Sequence, residues 1–133
     1  GLILAQTLDF DASTVETGQI DFPLPSTWTS TFNVTFFWTV ASGTGDVVWS
    51  AAGLAVSNDD TLAAAAFGTE QTATDTVLAT NDLMISAATA TITAGGTPAA
   101  GDHLFIRITR NASAGGDTLA VDAKLIGVLV TKV

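Results

Sequence analysis

The side chains in this sequence that could do chemistry are few: one histidine, thirteen carboxylates, four cations and no cysteine. Nucleophilic catalysis by a Ser-His-acid set would have to use His103. That residue follows Asp102 at a strand start, and a carboxylate next in sequence cannot readily both flank and orient the same imidazole. A G-x-S-x-G elbow is also missing. His103 therefore reads as a turn-edge or interface residue. Glycoside hydrolysis needs two carboxylates facing one bond. Here the acids are scattered from Asp9 to Asp122, most beside Gly, Asn, Ser or Thr as in solvated turns, and Glu16 and Glu70 are the only glutamates. The expectation is a protein that is not an enzyme, with no catalytic residue and no cofactor.

Without cysteine, disulfides and thiolate metal sites are excluded. Oxygen-ligated calcium is the inorganic chemistry that remains. Asn58, Asp59 and Asp60 form a dense oxygen cluster, and Asp9 and Asp11 lie two apart, on one face of an expected strand. Calcium takes six to eight oxygens, which neither cluster supplies alone. A plain polar turn at 58–60 is the competing reading, and no metal ligand is assigned.

Aromatic and basic residues offer binding rather than catalysis. Trp38 and Trp49 share the parity of apolar neighbours and read as core. Trp28 follows Pro23-Leu-Pro25-Ser-Thr and is the tryptophan placed to be exposed. It could stack on carbohydrate, or belong to a segment that wraps onto a neighbour. Asn33-Val-Thr35 and Asn111-Ala-Ser113 match the glycosylation sequon, which carries little weight in a threonine-rich chain. Arg107 and Arg110 stand among many acids, so each is expected to hold a bidentate carboxylate partner.

Charge narrows the partners. The formal net charge is −9, and all four bases (Arg107, Arg110, Lys124 and Lys132) fall near the end of the chain. Nucleic acid requires a basic footprint, and an anionic membrane surface requires a polybasic segment; neither can be assembled. No stretch approaches the ~20 apolar residues of a spanning helix.

The elements that must position these residues are strands. Only 13% of residues are charged and 47% are hydrophobic, so a packed core rather than disorder is expected. Over 31–40, Phe32, Val34, Phe36, Trp38 and Val40 alternate with Asn33, Thr35 and Thr39, a period of two. Phe37 breaks the polar side, which implies a cover over that face. Further strands are expected at 46–52, 76–79, 82–86, 88–94, 102–110 and 119–131, the last broken at Gly127 and apolar on both faces at 125–130. The stretch 61–67 has helix-favouring composition after Asp59 and Asp60, but strand or irregular structure is preferred inside a β pattern. The expected core is Phe32, Val34, Phe36, Trp38, Val47, Trp49, Leu104, Ile106 and Ile108. About eight short strands in 133 residues indicate one all-β domain over 1–133, an antiparallel jelly roll or β-sandwich.

An ordered set of features resembles a known group. Leu8-Asp-Phe-Asp-Ala12 is followed by Pro23-Leu-Pro-Ser-Thr-Trp28, Phe36-Phe-Trp38, Gly45-Asp-Val-Val-Trp49 and Ala100-Gly-Asp102 before 104–110. The set closes with Asp117-Thr-Leu-Ala-Val-Asp122-Ala-Lys-Leu-Ile-Gly-Val128. It is similar to the small β-domains of tailed-phage structural proteins and spans nearly the whole chain. The chain departs from that pattern at its end, where Val130-Thr-Lys-Val133 stands in place of a closing aromatic. The resemblance implies a jelly roll, assembled as a homotrimer on a virion as capsid decoration, head fibre or tail appendage. It implies other virion proteins, such as the major capsid protein, as partners, and no catalytic residue. The alternative is a carbohydrate-binding or receptor-binding module, with Trp28 against a host surface glycan.

Overall fold

A computed structural model describes residues 4–28, 30–63 and 65–133; residues 1–3 of the expected domain, Thr29, and Ala64 within the 61–67 stretch lie outside the described residues. Every regular element described is a strand: β1 (Leu8–Phe10), β2 (Glu16–Pro23), β3 (Thr31–Thr39), β4 (Asp46–Val56), β5 (Gln71–Thr76), β6 (Met84–Ile85), β7 (Ile92–Thr93), β8 (His103–Arg110) and β9 (Ala123–Lys132). They form two antiparallel sheets, ordered β1-β9-β3-β6 with β7 also on β3, and β2-β8-β4-β5. The two sheets stack as a sandwich. No helix of the described residues is long and apolar enough to cross a membrane.

The inward parity of β3, β4 and β8 makes the core. All nine expected core residues are buried. Trp49 sits at the centre, stacked on Phe36 with ring centroids 5.7 Å apart and met edge-on by Phe10 at 5.3 Å. Such aromatic pairs add about 0.5–1.5 kcal/mol beyond the area they bury.

Several bounds differ from expectation, each for a local reason. β4 runs on from the expected 52 to Val56, through Gly53. A Cβ at Gly53 would stand 2.7 Å from the Phe32 ring of the facing sheet, so the glycine admits that ring rather than ending the strand. β5 lies at 71–76, not at 76–79. Its QTATDT sequence has one buried inward apolar residue, Ala73, and it is held by its ladder to β4. β1 and β2 were not marked by strong alternation; β2 is a sheet edge, and its inward Ile20 and Phe22 are only partly buried.

β6 and β7 are two ends of one interrupted strand along β3. Between them, Ser86 and Thr89 replace the missing ladder. The Ser86 and Thr89 amides donate to the Phe36 and Val34 carbonyls, and their hydroxyls accept from the amides of Phe36 and Val34. β9 starts at Ala123 rather than 119, because the carbonyls of Leu119 and Val121 are taken by Arg110. Opposite Phe37 and Trp38, the β3–β9 register shifts and leaves Ile126 as the bulged residue. The stretch 61–67, where described, is irregular.

Candidate functional site

The residues singled out for chemistry do not converge. His103 Nε2 lies 2.7 Å from Asp21 Oδ2 across the β2–β8 ladder, not against Asp102. Asp102 is buried in the turn before β8, where its carboxylate accepts the Ala99 amide at 2.8 Å. Asp21 had no signal in the sequence, since the β2–β8 pairing that delivers it is long-range.

The acidic clusters build turns. Asp60 accepts the Ser57 amide at 3.0 Å, and Asp59 holds a left-handed φ of 70° between them. Asp9 and Asp11 do not share a strand face as expected: β1 ends at Phe10. Asp9 Oδ2 is 2.6 Å from Lys124 Nζ, and that bond, with one from the Thr7 hydroxyl, lowers its pKa below the ordinary carboxylate value. Asp11 receives the Ser13 hydroxyl and the Ser13 and Thr14 amides. Those donors hold its pKa near about 2, as a charge-stabilising turn should. This turn carries the chain from one sheet to the other. Among the described residues, no group of three or more His, Asp or Glu is placed to hold a metal ion.

Trp28 is half-buried in the loop after β2, with its amide bonded to the Pro25 carbonyl and its ring edge-on to Phe22 at 6.3 Å. The two arginines part company. Arg110 is fully buried and meets Asp117 in the expected bidentate manner, at 2.8 and 3.1 Å. Its remaining donors reach the carbonyls of Phe10, Leu119 and Val121, so every guanidinium N–H is used. Asp117 also accepts the Val48 amide at 3.0 Å. Among the described residues Arg107 finds no bidentate partner: its Nη2 is 3.8 Å from Glu70, and its guanidinium lies 4.9 Å from the Phe67 ring centroid.

What the sequence did not reveal is how differently the two outer faces of the sandwich are finished. β4 is buried on both sides, so that Val48, Ser50, Ala52, Leu54 and Val56 are covered although they point away from the core. The connections after β4 and β8 supply that cover. Arg107 lies against Phe67, Glu70 meets Arg107 and Asn111, and the Asn111 amide bonds the Val48 carbonyl at 2.8 Å. The Gly53 carbonyl accepts from both Gly68 and Gly95 at 2.9 Å.

The outer face of the β1-β9-β3-β6 sheet has no such finish. Phe37 stands there half-buried, with Ile85 opposite it on one side and Gly127 on the other. Ile85 is 55% exposed, Leu129 53% and Ile126 40%. The expected two-sided apolar character of 125–130 is therefore real: Leu125 enters the core while Ile126 and Leu129 face outward. Beside this face β1 begins at Leu8, opposite Leu125. Among the described residues an apolar cleft of about 430 Å³ lies between Leu8, Ile20, Ile108, Leu125 and Val128, with Gln6 and Thr7 at its edge.

Comparison with family models, curated proteins and solved structures gives no match to this chain. The arrangement offers an exposed apolar sheet face, and carboxylates such as Asp9, Asp11 and Asp117 are ion-paired or bound in turns.

Proposed function

We propose that this chain is a jelly-roll structural domain of a tailed-phage virion, acting through protein–protein assembly rather than catalysis. It would decorate a capsid or form the exposed part of a fibre, as a homotrimer. The observation that carries the jelly-roll reading is the strand order. With β6 and β7 counted as one interrupted strand, eight strands lie as first-eighth-third-sixth and second-seventh-fourth-fifth, the order obtained by wrapping a long antiparallel hairpin into two Greek keys. Fold alone does not carry a function, so the strand order supports the jelly roll and the virion role rests on the resemblance to small virion β-domains.

The physics of the surface supports this role. Large exposed apolar faces mark interaction sites, and cyclic assembly buries such a face in every copy. A net charge of −9 keeps a surface-displayed assembly from further association. Light scattering behind a sizing column tests the reading. A mass near three times 13.5 kDa, unchanged on dilution, is expected. A monomer at every concentration would overturn it.

A further inference from the structure

We infer that the outer face of the β1-β9-β3-β6 sheet, centred on Gly127, is where copies of this chain meet; the inference rests on the assembly reading above. Two observations mark the face as a contact surface, and the distribution of charge argues for a second copy as its occupant.

Charge bears on the occupant. Two molecules each carrying −9 repel unless their contact excludes carboxylates. Strands β3, β6 and β9 hold no acid at all, and β9 adds Lys124 and Lys132. The single acid on β1, Asp9, is bonded to Lys124 at 2.6 Å. The other sheet carries Asp21 and Asp46 away from the core, besides Asp75, which turns inward to accept the Trp38 indole N–H at 2.7 Å. When copies of one acidic protein turn the same face toward a symmetry axis, this is the sheet face that can meet itself.

The first mark of contact is the apolar set Phe37, Ile85, Ile126 and Leu129. Its counterpart on the opposite sheet is closed by the chain's own connections, whereas among the described residues nothing buries Ile85, Ile126 or Leu129 here.

The second mark is Gly127. It sits within β9, its φ lies outside the left-handed region, and a Cβ built on it meets nothing within 4 Å. Crowding inside the chain does not call for a glycine here, although the bulge at Ile126 lies directly beside it. A strand-interior glycine weakens a strand, and it often marks a bulge or the close approach of another backbone. At this position it leaves open space beside Phe37, its cross-strand partner, into which a second copy can approach.

The test compares Gly127→Ala, Leu129→Glu and the off-face control Leu78→Glu in the full chain, by light scattering, circular dichroism and thermal melting. Gly127→Ala should leave the monomer fold intact, since its methyl enters open space, while lowering the mass about threefold toward one subunit of the proposed trimer. Leu129→Glu should do the same by placing a carboxylate in the contact, and Leu78→Glu should leave the mass unchanged. Should Leu129→Glu lose its β signal, Leu129→Thr takes its place, matching the neighbouring Thr35. A wild-type assembly that survives both face variants would overturn this face while leaving the assembly reading standing. A monomeric wild type would overturn both.

Discussion

The two outer faces of this sandwich are built from similar strands and finished in opposite ways. Over β4 and β8 the chain lays its own connections, fixed by Arg107 on Phe67, by Asn111 on the Val48 carbonyl and by Asp117 on the Val48 amide. Over β3 and β9, among the described residues, nothing buries Ile85 or Leu129. The difference separates two uses of apolar surface: one side closes on the chain's own connections, and the other is the side proposed above for association. Substitutions on the closed side should therefore change stability, and those on the open side should change mass.

The largest effect is expected at the anchor of the closed side. Arg110→Met would strand Asp117 and the carbonyls of Phe10, Leu119 and Val121. Breaking a buried ion pair by removing one partner typically costs about 3–5 kcal/mol, readable by urea denaturation. Next is Gly53→Ala, which forces the Phe32 ring to move and should cost about 1–3 kcal/mol as overpacking. An unchanged denaturation midpoint would show that the facing ring can yield. Thr89→Val then removes the hydroxyl that accepts the buried Val34 amide. An unsatisfied buried donor costs about 1–3 kcal/mol, and exchange of the Val34 amide should quicken.

A smaller effect concerns acid. Asp11 has its pKa lowered from 3.8 to about 2 by its turn donors. A lowered folded-state pKa gives stability that is complete above the unfolded value and is lost as pH falls through the folded one. Wild type and Asp11→Ala should thus differ in Tm at about pH 5 and converge as pH falls toward about 2. A gap that stays constant would remove the charge of Asp11 as its cause. The smallest effect on the lone chain is expected at Ile85→Thr, within about 0.5 kcal/mol as for an exposed site, while its mass distribution shifts toward the monomer.

The legible part of the fold was the part written in alternation. Phe32 to Trp38 and Leu104 to Ile108 announced strands and an inward face, because one side of each must be dry. What stayed hidden depended on distant partners. β5 has little pattern of its own and exists through its ladder to β4. Ser86 and Thr89 look like loop residues until β3 is placed beside them. The Arg110–Asp117 pairing was readable from composition, whereas the three carbonyls that complete it are set by where β1 ends and β9 begins. The open face was half visible: Phe37 on a polar side and the apolar run at 125–130 signalled surface needing a cover, but alternation cannot say whether the cover belongs to the same chain.

Hydroxyl-radical footprinting of the wild type at assembling concentration, read against Gly127→Ala, tests that distinction most directly. Ile85, Ile126 and Leu129 should be labelled far less in the wild type, with Leu62 and Leu78 labelled alike in both. Equal labelling of Ile85, Ile126 and Leu129 in the two proteins would contradict the assignment of this face to contact between copies.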